Sequence, residues 1–213
     1  MAEFEVFYAP QIYGAYNATT VDGASTNLLT ANTSAALTAL DTIVDTKSMR
    51  LLFKSVGATT DATAFHAAVD NGGPTLTIIK TTTGAIALAY SSVSWKTVAT
   101  DTYISALQGM CWLCPFQGPN SGGNILSTLR YYNTIYPDNS MYVYALGFVR
   151  IFAFGGGHDL LLSNNGRIDL GNHSYQTRPS GLFGNGTIFE TCSGIEVYSA
   201  TSLITFTSHT FTP

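Results

Sequence analysis

Apolar and polar positions along this chain follow two periods, and the change of period divides it. Residues 1–30 have a brief apolar opening (Phe4, Val6, Phe7) and then an irregular Thr- and Asn-rich stretch, which reads as an extended arm or edge strand. Behind a cap at Thr33 or Ser34, Leu37, Leu40 and Val44 fall at i, i+3 and i+7, the pattern of a helix. A strand is predicted over 49–56 (MRLLFKSV). A second helix is predicted from an Asp61 cap, with Phe65, Ala68 and Val69 on one face. Asn71-Gly72-Gly73-Pro74 ends it.

From residue 75 the dominant period is two. Segments 75–80 (TLTIIK) and 85–95 (AIALAYSSVSW) flank Gly84 as a hairpin. Further strands are predicted over 109–116, once or twice within 141–154, and over 158–163, 187–199 and 202–212. A Gly/Pro/Asn loop covers 117–124. Strands outnumber helices, and the helices come early. The expected class is α+β and β-rich: two packed antiparallel sheets with a few short helices at one side or end. Neither an internal repeat nor a linker is visible, so the expected organisation is an arm over 1–30 and a single domain over 31–213.

Composition changes the picture at the surface. Of 213 residues, 46% are apolar, enough for a core that needs no metal or disulfide staple. Only 10% are charged, against a usual quarter, so Ser, Thr, Asn, Gly and Tyr must build the exterior. Such a surface suits a secreted protein or a subunit of an assembly as well as a cytoplasmic one. The net charge is −4 and the nine basic residues are scattered, which excludes a nucleic-acid backbone as the expected partner. No apolar run approaches the roughly 20 residues of a membrane-spanning helix. Residues 1–11 lack the charged and apolar regions of a signal peptide.

The candidate chemistry is sparse. Cys111, Cys114 and Cys192 are too few and odd in number for a disulfide framework. Cys111-Trp112-Leu113-Cys114 lies in an apolar β run, where positions i and i+3 face opposite ways, so buried, inert thiols are expected rather than a redox or metal pair. No His or Cys spacing fits a metal, and no cofactor signature appears. The sequons begin at Asn17, Asn32, Asn172 and Asn185.

Phe154-Gly155-Gly156-Gly157-His158-Asp159 is the most conspicuous motif. A phosphate loop would need a lysine and a following helix, and here a strand follows. A tight strand connection is the default reading. Gly155, Gly156, Gly157, His158 and Asp159 are candidate binding residues. Glu196 joins them, because on a straight strand it shares a face with Glu190, unless Gly194 carries a bulge. The oxygen-rich Asn164, Asn165, Asp169 and Asn172 read as an Asx-turn loop, with calcium as the alternative. No nucleophile, base and orienter are spaced as a set, so no enzyme is expected. Glu196 and His158 are the nearest to catalytic candidates.

Several of these segments recur together, in order, in one known family. They are Leu51-Leu52-Phe53-Lys54-Ser55, Phe65-His66, Asp70 through Lys80, Gly84, Tyr90, Ser92 through Lys96, Phe154 through Ser163, Ser174-Tyr175 and Ile195-Glu196-Val197-Tyr198. In these the chain resembles the TLDc domain of oxidation-resistance and nuclear-receptor-coactivator-like proteins, and the N-terminal part of an interferon-induced family. The resemblance spans about residues 33–200. It implies a two-sheet sandwich, no established catalysis, protection under oxidative stress, and binding to the vacuolar proton pump. A second functional class also fits: an extracellular glycan-binding protein, or a subunit of a polymer. Tyr131, Tyr132, Tyr136, Tyr142 and Tyr144 would then supply stacking surfaces, and the N-terminal arm would add to a neighbour's sheet edge.

Overall fold

The computed structural model describes residues 40, 42, 44, 45, 49–57, 59–118, 131–147, 149–175, 182, 183 and 188–200. These residues include eleven strands: β1 (Arg50–Val56), β2 (Thr75–Thr81), β3 (Ile86–Ser91), β4 (Thr102–Ile104), β5 (Trp112–Gln117), β6 (Tyr131–Tyr132), β7 (Met141–Val143), β8 (Arg150–Phe154), β9 (Leu160–Ser163), β10 (Arg167–Asp169) and β11 (Phe189–Ser199). Among the described residues, the α-helix α1 (Ala62–Val69) lies between β1 and β2, and Pro137–Asn139 form a 3₁₀ turn. Every strand pairing is antiparallel.

The strands form one continuous sheet in the order β4-β7-β8-β9-β10-β11-β2-β3-β5-β6, with β1 also paired to β11. This sheet folds over into two layers, and β11 is the fold line. Phe189–Thr191 pair with β10, whereas Cys192–Ser199 pair with β2. The register shifts between Cys192 and Gly194, and such a bulge bends a strand and raises its twist. The β-rich sandwich expected from the pattern is therefore present.

The main core lies between the layers. Ile79, Ala87, Leu113, Ile195 and Val197 of the first layer meet Val143, Phe152, Phe154, Leu162 and Ile168 of the second. α1 closes one end. Asp61 caps it by accepting from Thr63 N at 2.9 Å, and Phe65 and Val69 point into the core. Phe65 lies 5.1 Å from Phe152 and 5.5 Å from Trp95, centroid to centroid, and Trp95 Nε1 donates to Thr75 Oγ1 at 3.0 Å. A second apolar cluster covers the outer face of the first layer, where Leu76, Ile78, Leu88, Tyr90 and Trp112 pack with Leu40, Val44 and Met49. Burial on both faces explains why β3 is nearly all apolar and why Thr75, Thr77 and Thr81 of β2 are buried with its apolar residues.

Some expectations need adjustment. The strand over 85–95 stops at Ser91, because Ser91 Oγ donates to Val93 O and accepts from Val93 N, turning the chain. The strand over 109–116 begins only at Trp112, after a turn at Gly109 (φ +77°). The short strands β4, β6 and β10 are too brief to leave a period in the sequence. Val44 N donates to Leu40 O at 3.0 Å, a helical spacing, but most of the first helix expected lies outside the described residues. The arm over 1–30 and the strand over 202–212 lie outside them too. Among the described residues, no helix is long and apolar enough to cross a membrane.

Phe152→Ala should destabilise the fold by about 3–5 kcal/mol, the cost of an emptied aromatic site in a closed core. Tyr103→Ala, at an exposed edge, should cost less than about 1 kcal/mol. Urea unfolding of both variants measures the contrast.

Candidate functional site

The triple-glycine segment joins β8 to β9. Gly155 has φ +83°, and a Cβ there would run into the Asp159 carboxylate. A Cβ on Gly156 would meet Asn139 Nδ2 at 2.8 Å, and one on Gly157 would strike the His173 side chain. Close approach therefore demands all three glycines. The donors of this loop serve the fold. Gly155 N donates to Ser140 O at 3.0 Å, Gly156 N to Ser174 Oγ at 2.9 Å, and His158 N to Gly155 O at 3.1 Å.

Asp159 is the centre of this knot. Its fully buried carboxylate accepts from the backbone N–H groups of His173 and Ser174, the latter at 2.9 Å. Tyr175, also buried, donates to Ser140 O at 2.8 Å. Burial, followed by the neighbouring Cys111 and Asp159, holds its phenol pKa well above the usual value.

His158 is not on a strand. It adopts φ +56° in the turn, and β9 starts two residues later. Its Nε2 lies 2.9 Å from Tyr144 Oη, and its ring packs 5.7 Å from that of Tyr142. The Arg150 guanidinium sits over the Tyr144 ring at 5.5 Å. Burial and then the Arg150 charge lower the His158 pKa, while burial pushes the Tyr144 phenol up to about 12. The imidazole is thus held neutral against a protonated phenol.

Glu196 lies elsewhere. The bulge at Cys192–Gly194 breaks the alternation of β11. Cys192 and Ile195 both face the main core, whereas Glu196 lies opposite Ile78 on the outer face of the first layer. Glu190 precedes the bulge and pairs with Ile168, whose side chain belongs to the main core, so the two glutamates do not share a face. Glu196 is fully buried; Lys54 Nζ stands 3.1 Å from Oε1, and Tyr198 Oη donates to Oε2 at 3.0 Å. His158 sits on the outer face of the second layer, so the sandwich separates these two catalytic candidates.

The remaining candidates are placed as follows. Cys111 faces the main core and Cys114 the outer cluster, and both are free and buried. Burial raises the Cys111 thiol pKa and takes that of Cys192 to about 11, so neither is a ready thiolate. Asn165 Oδ1 accepts from Arg167 N as an Asx turn. Asp169 Oδ1 accepts from Arg167 Nε at 2.7 Å and lies at the same distance from Arg167 Nη2. Among the described residues, no three His, Cys, Asp or Glu side chains gather as a metal site. Asn172 is exposed, while the Ser174 of its sequon is buried with Oγ accepting from Gly156 N. Asn17, Asn32 and Asn185 lie outside the described residues.

Two features escape a reading of the sequence. One is a row formed by Arg150, Ser163 and Arg167 across three strands, which only the strand register reveals. The other is an apolar platform on two loops. Leu107 (78% exposed), Met110, Ile135 and Tyr136 all face solvent. Their loops are tied by buried Asn133, which accepts from Cys111 N at 3.0 Å and donates to Leu107 O at 3.1 Å. Gln108 Nε2 adds a bond to Thr134 O at 2.8 Å.

The β-rich sandwich agrees with the comparison to known families. The model of the TLDc domain matches residues 23–201, and the chain belongs to the TLDc family. No curated protein matches it.

Two predictions follow from the chemistry of these sites. Lys54→Met removes the ammonium group from the buried Glu196 carboxylate, and should cost about 3–5 kcal/mol. The double variant Lys54→Met/Glu196→Leu should recover most of that loss, and denaturant unfolding of the three proteins completes the cycle. His158 contributes with the opposite dependence from a salt-bridged histidine. Its pKa in the fold lies below the unfolded value of about 6.5, so its contribution is complete above that pH. It is lost as pH falls towards the folded pKa, because only the unfolded chain takes up the proton. The stability advantage of the wild type over His158→Gln should therefore shrink between about pH 7.5 and pH 5.5, and an advantage that grows would contradict the assignment.

Proposed function

We propose that this chain is a non-catalytic interaction module of the TLDc type. Its partner, by family resemblance, is the vacuolar proton pump, and its setting is protection under oxidative stress. The observation that carries an interaction role is the platform of Leu107, Met110, Ile135 and Tyr136. Leu107 is mostly exposed and the other three partly so, Tyr136 stacking on His173, on loops tied by a hydrogen-bonded frame. Grouped exposed apolar side chains on a rigid support mark contact surfaces.

The groups that an enzyme would use have structural partners. Glu196 is paired with Lys54, Asp159 with two backbone amides, and His158 with Tyr144. This supports the non-catalytic reading. Family membership favours the proton pump over the glycan-binding or polymer alternative.

Purified proton pump, immobilised, should retain the chain. The double variant Leu107→Asp/Ile135→Asp should lose retention while keeping the wild-type melting temperature, because both side chains are exposed. Equal retention of the folded variant would remove the platform from the reading, and no retention of the wild type would remove the pump.

A further inference from the structure

Outside the glycine knot, an open hollow of about 510 Å³ lies on the outer face of the second layer. Its size falls within the range of small-molecule sites. Its make-up follows from register. Arg150 on β8 pairs with Ser163 on β9. On β10, Ile168 pairs with Leu162 and Asp169 with Leu161, which sets Arg167 beside Ser163. Strand spacing then places the two arginine backbones about 10 Å apart with a serine hydroxyl midway, all on one face. Leu161, opposite Asp169, forms an apolar floor beside this row.

The donors in this row are pre-set. Arg167 uses Nε and Nη2 towards Asp169 and stacks over Phe189 at 4.1 Å, which fixes its plane and leaves other N–H groups available. Arg150 makes no ion pair among the described residues and is held over the Tyr144 ring. Asn165 Oδ1 is occupied by Arg167 N, which leaves its NH₂ as a donor. His158 lines the same hollow. In a chain of only nine basic residues and net charge −4, two guanidinium groups share one concave surface. Among the described residues, Asp169 is the one carboxylate there and is already paired with Arg167.

We propose that this hollow binds a small phosphate-bearing molecule, with Arg150 and Arg167 clasping the phosphate and the Ser163 hydroxyl donating between them. Guanidinium forks match phosphate oxygens in pairs, and charge-assisted bonds of this kind are the strong ones. The His158 ring and the Leu161 side chain, which line the hollow with Arg150, give an apolar surface for the group that carries the phosphate. No residue of the Leu107–Tyr136 platform lines the hollow, so the assignment stands apart from the pump reading.

The test is a titration of the ¹⁵N-labelled chain with inorganic phosphate, phenyl phosphate and succinate at constant ionic strength. Both phosphates should shift the amides of Arg150, Ser163 and Arg167 saturably, phenyl phosphate the more tightly, with succinate weaker than either. Arg150→Gln should weaken phenyl phosphate by about tenfold. Arg167→Gln should do the same, and Lys96→Gln should leave binding unchanged. Shifts no larger than those from chloride, an equal response to succinate, or wild-type affinity in folded Arg150→Gln would each overturn the proposal.

Discussion

Everything in this fold passes through the bulge in β11. An eleven-residue strand donates its first residues to one layer and the rest to the other, and the shift between Cys192 and Gly194 is where it turns. Without that extra residue the alternation would continue straight, and Ile195 and Val197 would leave the inter-layer core. Glu196 would then face inward without Lys54. The same irregularity therefore closes the sandwich, orders its core and assigns the buried carboxylate to the outer cluster.

A second constraint acts at the opposite end of the second layer. Asp159 gathers two backbone amides from the loop that follows β10, and the glycines before it permit the approach. A buried carboxylate satisfied by N–H groups needs no counter-ion nearby, and this suits a protein with so few cations. Because the knot uses the amides of Gly155, Gly156 and His158, the ligand chemistry proposed on this layer comes from side chains. They stand on β8, β9 and β10, where the strands fix their spacing.

The sequence disclosed long elements with a strong period. α1, its Asp61 cap, the β2–β3 hairpin and the extent of β11 were all legible from apolar spacing and turn residues. It also disclosed the ordered motifs of the family. It could not disclose β4, β6 or β10, which have two or three residues each and exist because neighbours supply their partners. His158 read as a strand residue because nothing in the order Gly-Gly-Gly-His-Asp announces a positive φ at the histidine. The row of Arg150, Ser163 and Arg167 was hidden for a related reason. Contacts across strands depend on register, and register here depends on bulges at Arg150–Phe152 and Cys192–Gly194.

The two faces of the first layer differ in what holds them. Trp95 stands in the core between the layers, hydrogen-bonded to Thr75, whereas Trp112 stacks on Tyr90 at 5.3 Å in the outer cluster. The chain has no third tryptophan. Its intrinsic fluorescence is thus a pair of separately placed lamps, one inside the sandwich and one beneath the covering of Leu40, Val44 and Met49. An event that lifts the covering alone changes the emission of Trp112 and leaves Trp95 dark to it, so the protein reports which of its two cores has opened.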